Sequence, residues 1–172
     1  MTEVKEKTLD REAFAAEEED TLDGKFLTFH LAGEDYGIEI RYVTEIIGIQ
    51  KITEVPDLAD CVKGVINLRG KVIPVMDVRL RFGLPAREYD DRTCIVVVEI
   101  DETAVGLVVD KVNEVSQIPA ANIEPPPRTG RESGRYIQGM GKIEDKVKIL
   151  LDVNRLLFAD ELQALGELAQ TA

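Results

Sequence analysis

The sequence predicts a mainly β protein made of two similar β units, with short helices and a C-terminal helix. Three observations carry this. Apolar residues make up 44% of the chain but aromatics only 5%, with no Trp, so the core is Val, Ile and Leu, which favour strands where they run together. Short apolar runs alternate with Gly, Asp and Pro turn chemistry. The pattern of runs in the first half restarts in the second. A length of 172 residues suits one domain, or two small lobes sharing a core.

Residues 1–23 are charge-rich and end in the acidic run Glu17 to Asp20, which predicts a flexible acidic tail. Lys25 to Leu31 alternates Phe26, Thr28, His30 against Leu27, Phe29, Leu31 and reads as a strand. Gly33-Glu34-Asp35 is a turn. Tyr36 to Ile40 and Val43 to Ile49 are further strands, with a bend at Arg41-Tyr42. Pro56-Asp57 opens a short helix closed by Gly64. Gly64 to Leu68 and Val72 to Met76 form a hairpin around Gly70. Asp77 caps a helical turn ended by Gly83 and Pro85. After the polar connector 84–92 come Thr93 to Ile100, Ala104 to Val109 and Val112 to Ile118, all strands. Residues 122–135, with Pro125-Pro126-Pro127, read as a loop. Tyr136 to Ile143 and Val147 to Leu151 make the last hairpin. Asp152 caps a helix over 152–169 whose Leu stripe suits docking on a core.

The restart is a duplication. Residues 37–46 lie over 106–115, and 64–78 over 139–153. Gly37/Gly106, Val43/Val112, Glu45/Glu114, Gly64/Gly139, Lys71/Lys146, Val72/Val147, Asp77/Asp152 and Val78/Val153 coincide. Each copy holds about five short strands, enough to close a small barrel and remove exposed edges. The hairpin tips differ: Asn67-Leu68-Arg69-Gly70 in the first copy is Lys142-Ile143-Glu144-Asp145 in the second. Asn67 and Arg69 are expected on one side of their hairpin. A guanidinium and an amide there make either a contact surface or a solvated turn.

Charge and composition exclude several classes. A formal charge of -12 and a pI of about 4.6 oppose binding to nucleic acid and to anionic membranes. No apolar run reaches the roughly 20 residues that span a bilayer, and the N-terminus lacks a secretory h-region, so a cytoplasmic protein is expected. Cys61 and Cys94 are isolated and read as buried free thiols. His30 reads as a structural strand residue, since metal sites recruit several such ligands. The carboxylates Asp77, Glu99, Asp101 and Asp110 have no His or nucleophile in a recognisable constellation. No phosphate loop or nucleophile elbow is present. No enzymatic activity and no cofactor are expected.

The run VKGVINLRGKVIPVMDVRLRFGL, with YGIEIRYVTEII before it and VGLVVDKVNEV after it, closely resembles the CheW chemotaxis coupling proteins, across about residues 24–168. The resemblance implies one domain of two intertwined SH3-like five-stranded barrels (about 24–90 and 91–151) around a shared core, followed by the C-terminal helix. It implies a non-catalytic adaptor, a monomer when isolated. Its partners would be the regulatory domain of the CheA histidine kinase and the cytoplasmic tips of methyl-accepting chemoreceptors, in membrane-associated arrays. Carried over residue by residue, Val43, Glu45, Gly64, Asn67, Arg69 and Gly70 match positions tied to receptor and kinase coupling. Ile46, Val65 and Val72 would line a receptor groove. Arg69 would pair with Glu45 to fix the groove wall, or reach a partner carboxylate. The alternative is a CheW-like module of another kinase-linked pathway, or one detached from a larger signalling protein. A tail before the first strand and a completed last helix speak against detachment.

Overall fold

Two-residue turns set the strand pairing. Arg69 and Gly70 both have positive φ (54° and 83°), as do Ala32 and Gly33 (52° and 85°) and Asp101 and Glu102 (50° and 65°). This is the backbone that lets a two-residue loop follow the natural twist of a hairpin. The computed structural model describes residues 22–58, 60–126 and 136–157. Its strands are β1 (Lys25–Leu31), β2 (Glu34–Glu39), β3 (Val43–Gly48), β4 (Val62–Leu68), β5 (Lys71–Asp77), β6 (Cys94–Ile100), β7 (Thr103–Val109), β8 (Lys111–Gln117), β9 (Ile123–Glu124), β10 (Ile137–Ile143) and β11 (Lys146–Leu151). The helices are α1 (Val78–Arg81) and α2 (Val153–Leu157), with 3-10 turns at Ile40–Tyr42 and Ala120–Asn122.

The strands form a six-stranded sheet, β8-β1-β2-β11-β10-β9, and a five-stranded sheet, β3-β6-β7-β5-β4. The duplication maps one order onto the other: β3, β6, β7, β5 and β4 correspond to β8, β1, β2, β11 and β10. The parallel pairs agree residue by residue, Val75 opposite Gly106 in one sheet and Leu150 opposite Gly37 in the other. So do the bulges, between Val62 and Gly64 and between Ile137 and Gly139. Even β9 has a counterpart: Glu124 pairs Met140, as Thr53 bridges Val65.

Each sheet is therefore mixed. The hairpin β1–β2 from the first half sits in the sheet of the second half, and β6–β7 does the reverse. The sheets do not follow the expected halves 24–90 and 91–151, because β2 and β7 each hand the chain across to the other sheet. The expected barrel closure is also corrected. The ladders leave open edges at β3 and β4 and at β8 and β9.

Burial explains why β6 carries an unbroken apolar run. Val96 and Val98 join Leu27, Phe29, Leu31, Ile38, Met76 and Leu107 in the large core between the sheets. Ile95 and Val97 join Ile66, Ile73, Val75 and Val108 on the opposite face, inside the curl of the five-stranded sheet. A strand buried on both faces loses its polar alternation. The six-stranded sheet has its own inner cluster of Phe26, Ile118 and Leu150.

Local expectations fare unevenly. Asp77 caps α1, accepting from the Arg79 and Leu80 amides at 2.9 and 3.4 Å, and its counterpart Asp152 accepts from the Arg155 amide at 3.1 Å. The helix expected after Pro56 does not form. Pro56 and Asp57 make a turn, and Asp57 has φ 63°, a left-handed conformation that a helix cannot contain. Gly64 is not a helix stop but lies in β4 with φ +144°. Ile123–Glu124, expected in a loop, pairs with β10. Cys61 is buried, but Cys94 is only partly so. His30 lies in β1, its Nδ1 3.1 Å from Asp35 Oδ1. The tail before Leu22 and the helix beyond Leu157 lie outside the described residues.

Candidate functional site

The first-copy hairpin tip and β3 meet at one ion pair. Arg69 Nη2 donates to Glu45 Oε2 at 2.9 Å. β3 and the β4–β5 hairpin stand at opposite ends of the ladder β3-β6-β7-β5-β4, so this pair spans the gap that the ladder leaves open. The Arg69 side chain is 80% exposed and that of Glu45 24%. The pair is anchored on the strand side and free on the arginine side, so the guanidinium keeps donors available to a partner.

Asn67 serves the turn itself. Its Oδ1 accepts from the Gly70 amide at 2.8 Å, which holds Arg69 and Gly70 in their left-handed conformations. Asn67 and Arg69 are both exposed at this tip, with the Asn67 side-chain oxygen committed to the turn. Gly64 is required by space. A Cβ there would sit 2.1 Å from the Thr53 carbonyl oxygen, because Thr53 forms an antiparallel bridge with Val65, its two bonds being 2.8 and 2.9 Å.

The remaining site residues scatter around this end. Burial alternates along β3, with Val43, Glu45 and Ile47 half-buried and Thr44, Ile46 and Gly48 exposed. Glu45 and Ile46 thus leave the strand on opposite faces. Val65 is half-buried opposite Pro74, and Val72 stands opposite Asn67. Ile46 is 43% and Val72 38% exposed. The structure joins Glu45 to Arg69 and Asn67 to Gly70, and it leaves Ile46 and Val72 exposed.

Sequence reasoning missed Ile49, Val115 and Val147. Among the described residues they join Ile46 and Val72 as the exposed large apolar side chains. In the duplication Val115 matches Ile46 and Val147 matches Val72. The repeat alignment held that signal. The ion pair, however, is not repeated: Glu45 and Arg69 correspond to Glu114 and Glu144, two acids. The turn survives without the pairing, since Glu144 has the φ of Arg69, 54°.

Residues 25–161 match the family model described as CheW-like domain. The chain belongs to the CheW-like family. It is 34% identical over 153 residues to the chemotaxis protein CheW of Klebsiella aerogenes, covering 88% of this chain and 92% of that one. It is 33% identical over 141 residues to CheW of Bacillus subtilis, covering 81% and 90%. Among solved structures it resembles the scaffolding protein TtCheW from Thermoanaerobacter tengcongensis, with a TM-score of 0.74 and 37% identity over 80% of this chain and 94% of that one. The sheet order and its exchanged hairpins thus belong to a CheW-like fold, with SH3-like units that remain open ladders.

Proposed function

We propose that the chain is a non-catalytic chemotaxis adaptor that couples methyl-accepting chemoreceptors to the CheA histidine kinase. The observation that carries this reading is the match to CheW proteins across nearly the whole of both chains, 88% and 92% for the Klebsiella aerogenes relative. The adaptor meets the kinase through the kinase's regulatory domain and the receptors at their cytoplasmic tips. It acts in the cytoplasm and joins membrane-associated arrays through those partners. Among the described residues no helix is long and apolar enough to cross a membrane, which agrees with recruitment through protein contacts.

The binding end is the one built by Val43, Glu45, Ile46, Gly64, Val65, Asn67, Arg69, Gly70 and Val72. Physical asymmetry between the copies supports it. Both copies expose an apolar pair, but only the first adds a guanidinium held by a carboxylate at a hairpin tip. Exposed apolar side chains supply area to a helical partner, and the fixed guanidinium supplies direction. The test is a calorimetric titration of the purified chain with the regulatory domain of a CheA kinase from the same source. Saturable one-to-one binding is expected. A folded chain that gives no heat and no complex would overturn the kinase partnership.

A further inference from the structure

The chain crosses between the two sheets at two places that the duplication relates. β2 passes into β3 through Ile40–Tyr42, and β7 passes into β8 through Asp110 alone. Arg41 and Asp110 hold corresponding positions in the two crossovers. Their surroundings differ. Arg41 pairs with Asp23 at the surface, the two side chains being 43% and 73% exposed. Asp110 is 9% exposed and Arg79, its partner, 14%.

The Asp110 carboxylate gathers groups from both sides of the molecule. Arg79 grips it as a fork, with Nε 2.9 Å from Oδ1 and 3.2 Å from Oδ2, and Nη2 3.0 Å from Oδ2. Arg87 Nη1 adds a contact at 3.3 Å. Both arginines belong to α1 and the connector, which continue from β5 of the five-stranded sheet. From the other sheet, the Ala32 amide in the β1–β2 turn donates to Oδ2 at 3.1 Å. Arg79 Nη1 also donates to the Pro85 carbonyl at 2.9 Å, holding the connector over the pair. A bidentate guanidinium–carboxylate pair fixes direction as well as distance. This one fixes Asp110, the one-residue link of the β7–β8 crossover.

We infer that the Asp110 clamp sets the angle between the two sheets, with Arg79 and Arg87 as positioning residues, and so places the Glu45–Arg69 end relative to the six-stranded sheet. The other crossover, among the described residues, holds only the more exposed Arg41–Asp23 pair. The Ile40–Tyr42 turn relies on packing of Ile40 and Tyr42 against the shared core. β3, which carries Glu45, follows that turn directly. Loosening the clamp therefore frees the sheets to rotate about the shared core, and β3 moves with them.

The test is residual dipolar coupling on the full chain, which reports the orientation of each sheet separately. In the wild type both sheets fit one alignment tensor. In Asp110→Asn, and in Arg79→Lys, which keeps the charge but loses the fork, each sheet still fits internally but the two require different tensors. A single tensor with the wild-type relative orientation in a folded variant would overturn the inference. If Asp110→Asn does not fold, Arg79→Lys decides it. A second readout rests on the adaptor reading: affinity for the isolated kinase domain stays unchanged in the variants, while receptor-dependent kinase activation falls by about fivefold or more. Unchanged activation in a folded variant would remove the clamp's link to coupling. A wild-type chain that binds no kinase domain would sink the adaptor reading and leave the dipolar couplings to decide the clamp.

Discussion

Arg69 at the tip of the β4–β5 hairpin pairs with Glu45 of β3 at 2.9 Å, and the positions that correspond to them in the second copy are both glutamates. The pair thus marks one end of a duplicated molecule. It is also a surface pair on its arginine side. Exposed pairs contribute about 0–1 kcal/mol, so its effect is on placement more than on stability.

Arg69→Glu should fold with a urea midpoint close to wild type, a loss of no more than about 1 kcal/mol. It recreates the acid–acid arrangement that Glu114 and Glu144 already show the fold accepts. The exchange Glu45→Arg with Arg69→Glu separates two roles for the tip. If the pair only fixes the wall, the exchange restores partner binding that Arg69→Glu has lost. If Arg69 reaches a partner carboxylate, the exchange leaves binding lost. Pull-down with receptor fragments reads the difference.

Removing the Asp110 charge should cost more. Burial pushes the Asp110 carboxyl up, but the Arg79 hydrogen bonds, the Ala32 amide and the charges of Arg79 and Arg87 outweigh it and leave it below its usual value. Asp110→Asn takes the direct counter-ion from the part-buried Arg79 and leaves it only the charge of Asp77, which costs about 1–3 kcal/mol. Urea unfolding followed by circular dichroism measures it. A loss under about 1 kcal/mol would show that water reaches the clamp.

The two glycines at the bulges should differ. At Gly64 a Cβ meets backbone, 2.1 Å from Thr53 O, with φ +144°. At Gly139 it meets the Ile123 Cγ2 methyl at 2.8 Å and Glu124 O at 3.0 Å, and part of that clash can be relieved by the side chain. Gly64→Ala is expected to cost about 2–4 kcal/mol and Gly139→Ala less. Thermal melts of the two variants give the order, and equal melting points would contradict it.

Acid stability should depend on Lys148. Its Nζ lies 2.6 Å from Asp35 Oδ2. Chiefly through that hydrogen bond, and against the opposing effect of burial, Asp35 is lowered from 3.8 to about 2. His30 and Asn113 hydrogen bonds act in the same direction. A depressed carboxyl stabilises the fold above its unfolded pKa, and that stability is lost as pH falls toward its folded value. The window is therefore about pH 4 down to about pH 2. Lys148→Met should flatten the loss of stability across that window in denaturation series at fixed pH steps. A slope identical to wild type would mean that Lys148 does not set the Asp35 titration.

Much of this was legible in the sequence, and the failures have physical causes. The duplication, the Gly64–Val78 hairpin and the Asp77 and Asp152 caps follow from turn chemistry and local spacing, which act within a few residues. The exchange of β1–β2 and β6–β7 between sheets did not follow. A crossover as short as Asp110 looks the same in sequence whether the next strand stays in its sheet or leaves it. The helix expected after Pro56 fails at the left-handed Asp57, and Gly64, read as its end, answers instead to Thr53 bridging β4, a tertiary contact. Strand alternation places Asn67 on the side of Arg69 but does not show that its side-chain oxygen turns back to the Gly70 amide. The Arg69–Glu45 pairing was reached through family resemblance; spacing alone gave only a charge at a tip.

Reconstitution decides whether the Glu45–Arg69 end couples receptor to kinase. CheA autophosphorylation is followed with receptor fragments and either the wild-type chain or Arg69→Glu, each shown to be folded. Strong receptor-dependent activation is expected with the wild type, and its loss with Arg69→Glu. Full activation with Arg69→Glu would contradict it.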